Sequence, residues 1–207
     1  MKDIRRRVVE KTLGHVPFEG WTDRAMRAGA RDAGVEFTAA RRAFPRGAAD
    51  ILAWWSTDSD RRMVAALERR DLAAMRVRDR IATAVRVRIE LNAKHREAIR
   101  LASSRAALPP HAPEATRRLW RTADAMWRAA GDTATDYNFY TKRALLVGVY
   151  ASTLLYWLDD RSEDSAATWA FLDRRIADTM RVPKALGALR RCVPDLGRLL
   201  RAAGARR

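Results

Sequence analysis

The stretch Met126-Trp127-Arg128-Ala129-Ala130-Gly131-Asp132-Thr133-Ala134-Thr135-Asp136-Tyr137-Asn138-Phe139-Tyr140-Thr141-Lys142-Arg143, with the run from Ala144 to Leu158 behind it, decides how this chain folds. Gly131 closes one helix, and Asp132 or Thr135 can cap the next. Beyond Arg143 that next helix is apolar all round, interrupted by Ser152 and Thr153. A helix apolar on every face is expected to be buried on every side. The two hydroxyls can bond to carbonyls one turn back, so neither is costly to bury. Such a helix needs neighbours in its own subunit and something more beyond them, either a dimer partner or a bound apolar ligand. The run is too short and too polar at its middle to span a bilayer.

Working outward, Pro109-Pro110-His111-Ala112-Pro113 is the sharpest break in the chain. After it, residues 114–130 read as a helix with Leu119, Trp120, Ala123, Met126 and Trp127 toward the core. Downstream, Ser162 is expected to cap a helix over 163–180, with Glu163 and Asp164 in its first turn. Upstream, residues 2–16 form a first helix that Pro17 and Gly20 end. Thr22 caps a second over 23–33, closed by Gly34, and Thr38 caps a short third over 39–43. Further helices are expected over 48–55, from Thr57 or Ser59 to Ala74, over 79–91 and over 95–106.

The composition agrees with an all-α chain. Ala, Arg and Leu dominate, and β-branched runs are almost absent. At 48% hydrophobic and 32% charged, the chain can bury a core. Its formal net charge is +16, from 41 basic and 25 acidic residues, which favours anionic partners such as nucleic acid or a membrane face. The single cysteine, Cys192, excludes an internal disulfide. Met1 to Arg7 is not followed by the apolar stretch of a secretory signal.

Little here suggests catalysis. His15, His95 and His111 are far apart, with no metal-ligand spacing, no phosphate loop, no nucleophile elbow and no HExxH. The acidic group Asp159, Asp160, Glu163 and Asp164 sits between two helices and reads as turn and capping residues. No cofactor is expected.

Three short helices with a tight turn before the third form a helix-turn-helix-like module over residues 1–47. From Gly20-Trp21-Thr22 through Gly34-Val35 to Phe44-Pro45-Arg46-Gly47 it is similar to the N-terminal domain of TetR-type regulators. The long central stretch quoted above resembles ubiquinone-biosynthesis accessory proteins of the Coq-nine family. Tyr150, the segment Thr168-Trp169-Ala170-Phe171-Leu172-Asp173-Arg174-Arg175-Ile176 and Met180 extend the likeness, as do Gly20-Trp21-Thr22, Arg86-Val87-Arg88, Pro109 and Pro113. The resemblance covers most of residues 4–181.

That resemblance implies a TetR-like dimer with a larger helical domain, here 48–181, that binds an isoprenoid quinone precursor or a phospholipid. It implies a non-catalytic role: presenting precursors to a membrane-associated hydroxylase of the quinone pathway. An aromatic pair opening the long helix, matched by Phe139 and Tyr140 and joined by Arg143, would contact that hydroxylase. The same three residues can also simply pack the helix end. The chain begins at its first helix, without the long extension of mitochondrial members, and is Ala/Arg-rich. Both features point to a bacterial protein acting in the cytoplasm or peripherally at the inner membrane.

Trp127, Tyr137, Leu146, Tyr150, Leu154, Trp157 and Trp169 are the candidates for the lipid pocket or its supporting core. Residues 182–207 form a basic segment suited to a membrane surface, carried by Leu186, Leu189, Arg190, Arg191, Leu196, Leu199 and Leu200. Pro194 and Gly197 argue against one continuous helix there, and docking onto the protein's own body is the alternative. Arg41 and Arg42 fall where a DNA-binding relative would read bases, but the third helix lacks the usual recognition pattern, so no specific nucleic acid is expected. Two rivals remain open: a TetR-type transcription regulator with a hydrophobic effector pocket, and a structural adaptor without a ligand.

Overall fold

The computed structural model describes residues 2–135 and 137–192, with side chains described for 3–135 and 138–179. Nine α-helices and two 3-10 turns make up the described residues. In chain order they are α1 (Lys2–Glu19), α2 (Asp23–Asp32), α3 (Phe37–Ala43), α4 (Ala48–Leu67), α5 (Val77–Glu90), α6 (Arg96–Ala106), α7 (Ala112–Ala129), α8 (Tyr137–Asp159) and α9 (Ala166–Cys192).

The first three helices form a small unit. Val8, Val9, Thr12, Leu13 and Val16 put one face of α1 into its core. Pro17 does not end α1, which runs two residues further to Glu19, so the stop falls at Gly20. Gly20, at φ +66°, then donates to the Val16 carbonyl. Thr22 caps α2 by accepting from the Ala25 amide. Gly29 lies so close to Thr12 that a Cβ would stand 2.6 Å from its backbone, which explains the intimate α1–α2 pairing. Helix α3 starts earlier than its expected Thr38 cap, at Phe37, whose ring lies under the Arg27 guanidinium 4.0 Å from the centroid.

Helix α4 is the spine of the larger body. Its 20 residues correspond to roughly 30 Å of helix. The sequence suggests two helices here, with Thr57 or Ser59 capping the second. In fact Thr57 Oγ1 donates back to the Ala53 carbonyl, and Ser59 Oγ donates to Asn92 Oδ1 across to the end of α5. With their hydroxyls committed elsewhere, neither residue interrupts the helix. Residues 68–76 leave α4 as a loop, tied down by Arg80, which donates to the carbonyls of Ala73, Met75 and Ala130.

Helix α7 packs along α4 and α8, and α8 also meets α6 and α9. The carbonyl end of α8 is held by two arginines of α6. Arg96 donates to the carbonyls of Trp157 and Asp160, and Arg100 donates to the carbonyl of Leu158 and to Asp159. Cations at that end also suit the helix dipole. Contrary to the expectation of burial on every side, α8 leaves Ala144, Gly148, Leu155 and Tyr156 exposed in the single chain. Ala144, Gly148 and Leu155 share one side of the helix by their spacing, while Tyr156 stacks on Phe171 of α9 with ring centroids 4.6 Å apart.

Between α8 and α9, Glu163–Ser165 form a separate 3-10 turn rather than the first turn of α9. Asp164 and Ser165 both take left-handed backbone angles, which breaks the helical path. The caps come from further back: Ser162 Oγ accepts from the Ala167 amide, and Asp160 Oδ2 from the Thr168 amide and hydroxyl. Helix α9 continues past Pro183 to Cys192, so the boundary expected at 181–182 falls inside a helix. Leu186, Leu189, Arg190 and Arg191 lie on that extension with side chains outside the described residues, and Leu196, Leu199 and Leu200 lie outside them altogether.

Candidate functional site

Five helices, α4 to α8, enclose a cavity of about 370 Å³. Its walls are mostly apolar. Leu52 and Trp55 come from α4, Ile89 from α5, Ile99 and Ala102 from α6, Ala115 and Leu119 from α7, and Tyr150, Ala151 and Leu154 from α8. The residues around it are graded in exposure. Ser59, Ile89, Thr122, Tyr150 and Trp55 are buried, whereas Ala107, Thr116 and Leu155 are exposed and mark the mouth.

The inner end carries a buried ion pair. Arg88 Nε donates to Asp60 Oδ1 at 2.9 Å, and Thr122 Oγ1 donates to the same carboxylate oxygen at 2.9 Å. Arg88 also reaches the Ser56 carbonyl. A charge pair placed this deep is sustained by its mutual contact and these added hydrogen bonds. Burial opposes the Arg88 charge, but its pKa still goes up, and the Asp60 carboxylate beside it holds the cation. Burial pushes the Tyr150 phenol up, so it stays protonated. Beside this pair, Ser59, Arg62 and Asn92 form a second hydrogen-bonded cluster around the Asn92 amide. Trp55 stacks on Trp21 of the first unit at 5.7 Å and meets the His95 ring edge-on, while its indole N–H has no acceptor among the described residues.

Arg118, toward the mouth, is a different kind of arginine. Its side chain is only 15% exposed, yet its nearest carboxylate oxygen, on Glu114, is 3.8 Å away. That same oxygen is 3.7 Å from Arg46. Burial pushes the Arg118 pKa down, Arg121 and Arg105 push it the same way, and Glu114 only partly opposes them.

The residues expected to line a lipid pocket separate into groups. Tyr150 and Leu154 line the cavity. Leu146 and Trp157 are core residues behind it, Trp157 lying under the Arg96 guanidinium. Trp127 packs at the α7–α8 junction and donates to the Lys142 carbonyl, and Trp169 donates to the Asp164 carbonyl with Arg86 over its ring. The Tyr137 side chain lies outside those described. Arg88, Asp60, Thr122 and Arg118 are site residues that the sequence patterns above do not single out as lining a pocket. The signal was there for two of them: Asp60 and Arg88 interrupt the buried faces of α4 and α5. A charge on an apolar stripe requires a buried partner.

The aromatic patch is built on the junction of α7 and α8. Tyr140 is 62% exposed, with the Phe139 ring 5.1 Å away edge-on and the Trp120 ring at 6.4 Å. Phe139 is half-buried. Arg143 is buried, so it underlies the patch instead of standing on it. Its Nε donates to Asp124 at 2.7 Å and its Nη1 to Asp132 at 3.1 Å. Lys142 Nζ donates to the other oxygen of Asp132 at 2.7 Å. Burial alone would raise the Asp132 pKa, but Lys142 and Arg143 outweigh it and hold the carboxyl below its usual range. Two cations and two carboxylates thus lock the turn that the central motif encodes.

Elsewhere, Arg41 is exposed and donates to Asp23, and Arg42 donates to the Thr38 carbonyl. Among the described residues no group of three or more His, Cys, Asp or Glu could hold a metal, and no helix is long and apolar enough to cross a membrane.

Comparisons with known proteins agree with this architecture. Residues 112–183, which span α7, α8 and the start of α9, match the COQ9 family model. The chain is similar to the mitochondrial ubiquinone biosynthesis protein COQ9 of Rattus norvegicus, 33% identical over 186 residues, or 86% of this chain and 59% of that protein. The Homo sapiens protein of the same name is 31% identical over 186 residues, 86% of this chain and 58% of that protein. The chain thus spans about three-fifths of the length of these curated relatives. Among solved structures, a TetR transcriptional regulator from Nitrosomonas europaea superposes with a TM-score of 0.68 at 20% identity, covering 86% of this chain and 98% of that one. The fold is therefore all-α and TetR-like.

Proposed function

We propose, from the premise that this chain carries a COQ9 domain in a TetR-like all-helical fold, that it serves ubiquinone biosynthesis as a non-catalytic lipid-binding protein. It holds an isoprenoid quinone precursor or a phospholipid and presents it to a pathway hydroxylase. The observation that carries this reading is the cavity of about 370 Å³ enclosed by α4 to α8. Ligand sites are concave, mostly apolar and supplied with a few placed polar groups, and typically fall between about 300 and 1,000 Å³. The exposed aromatic patch at Tyr140 supports docking of a partner protein, since Tyr and Trp are typical interface anchors. The exposed stripe of Ala144, Gly148 and Leu155 supports a homodimer through α8. Small residues there let two helix backbones approach, and nothing lies within 4 Å of where a Gly148 Cβ would be. The basic extension beyond Met180 is proposed as the contact with a membrane surface.

Organic extraction and mass spectrometry of the purified protein test the lipid reading. Stoichiometric recovery of an isoprenoid or phospholipid is the expected outcome. A protein that emerges empty, and stays empty after incubation with such lipids, would instead be an adaptor without a ligand. The transcription-regulator reading is weaker, because α3 has seven residues and Arg41 is engaged by Asp23. Binding to the chain's own promoter that survives physiological salt would restore it.

A further inference from the structure

The lipid reading of the cavity leaves its head-group preference open, and the two arginines on its wall decide it. Arg88 is already engaged: its Nε donates to Asp60 and its Nη2 to the Ser56 carbonyl. Arg118 is not. Its side chain is 85% removed from solvent, and among the described residues no acceptor lies within hydrogen-bond reach of it. Glu114, its nearest acid at 3.8 Å, is divided between it and Arg46. Arg105 and Arg121 add positive charge around it. The region therefore holds more cation than its own carboxylates neutralise. A largely buried guanidinium whose one ion pair is too long for a hydrogen bond is a costly arrangement, relieved when an anion arrives with oxygens in its plane. The walls inward of Arg118 are apolar: Leu119, Leu154, Ile99 and Leu52.

We infer that the cavity is selective for amphiphiles whose head group is an anion, carboxylate or phosphate, seated on Arg118 at the mouth with the apolar chain running inward. This rests on the proposed lipid-binding role and narrows it from any lipid to acidic ones. Neutral lipids of equal chain length bind less well, and amines bind worst, because Arg105 and Arg121 repel them.

Calorimetric titration of the full chain, stripped of co-purified lipid, with dodecanoate, dodecanol and dodecylamine tests the inference at fixed physiological salt. Charge-assisted hydrogen bonding predicts that dodecanoate binds about tenfold more tightly than dodecanol. Arg118→Gln should bring the two within about threefold while dodecanol affinity holds, and Arg118→Lys should keep part of the preference. Arg117→Gln, a change at an exposed neighbour outside the cavity wall, controls for the chain's general positive charge and should leave the preference intact. Equal losses in Arg117→Gln and Arg118→Gln overturn the inference in favour of diffuse surface charge. So does competition by inorganic phosphate alone, which would mark a free-anion site rather than an amphiphile site. If dodecanol binds and no preference exists in the unaltered chain, the head-group inference fails and the lipid reading stands. If neither probe binds, both fall.

Discussion

The Arg143 guanidinium lies face-on to the Phe139 ring, 3.5 Å from its centroid, and donates to the Phe139 backbone carbonyl at 3.1 Å. One residue therefore fixes both the ring and the first turn of α8, from beneath a patch whose outer member is Tyr140. The exposed aromatic patch and the buried ion-pair cluster meet at this contact.

Removing the guanidinium should unfold before it unbinds. Arg143→Ala takes a buried cation from Asp132 and Asp124, which keep Lys142 and Arg128 as their remaining partners. Losing hydrogen bonds between charged groups costs about 1.5–3 kcal/mol. Urea denaturation of the variant and the unaltered chain measures it. A loss below about 1 kcal/mol would return Arg143 to the category of solvated surface arginines.

Tyr140→Ala should behave in the opposite way. An exposed ring contributes little to folding, so the melting temperature should stay close to that of the unaltered chain. If the patch docks a hydroxylase, truncation should weaken that complex by more than about 2 kcal/mol. Titration against the hydroxylase from the same genome reads the affinity. Full binding by a normally folded Tyr140→Ala protein would place the interface elsewhere.

Much of the architecture was legible from the chain. The helix after Arg143, the break at Pro109-Pro110 and the three-helix start are where hydrophobic period, Pro and Gly place them, although α7 begins at Ala112 and takes Pro113 into its first turn. The misreadings share a cause. Thr57, Ser59, Thr38 and Glu163 look like helix starts because short polar side chains satisfy free amides. Whether they do so depends on partners distant in sequence, such as Asn92 for Ser59. Arg143 read as surface because arginine usually is, and its burial follows from two aspartates 11 and 19 positions away. The cavity was the least legible feature. Its wall is assembled from five helices, and no local pattern announces that Arg88 and Thr122 converge on Asp60.

The start of α9 should be acid-sensitive. Hydrogen bonds from the Thr168 hydroxyl, then from Ser162 and the Thr168 amide, hold the Asp160 carboxyl far below its usual range. A carboxyl depressed in the folded state adds stability above its unfolded pKa of about 3.9, and that stability is lost as pH falls through the folded value. Asp160→Asn should therefore lower the melting temperature at neutral pH. The gap between variant and unaltered chain should narrow steadily once pH drops below about 4. A gap independent of pH would mean the carboxylate charge contributes nothing there.

If the cavity is the proposed lipid site, filling it should abolish lipid binding. Ala151→Phe adds a ring to the cavity wall contributed by α8. Inserting bulk into packed protein costs about 1–3 kcal/mol, but an open cavity relieves most of that. The expected result is a melting temperature within a few degrees of the original and loss of extractable lipid by mass spectrometry. Unchanged lipid content in the folded variant would locate the ligand outside this cavity.

Trp55 belongs to the cavity wall and is also stacked on Trp21, whose indole N–H is fastened to the Ala98 carbonyl of α6. The two rings act as a rivet between the first three helices and the body. A leading unit joined in this way cannot swing independently, as a hinged reading head would need to. A guest that pushes Trp55 aside must either shear the rivet or turn the whole amino-terminal unit with it. Occupancy of the interior and attitude of that unit are thereby geared to one another, whatever the unit touches.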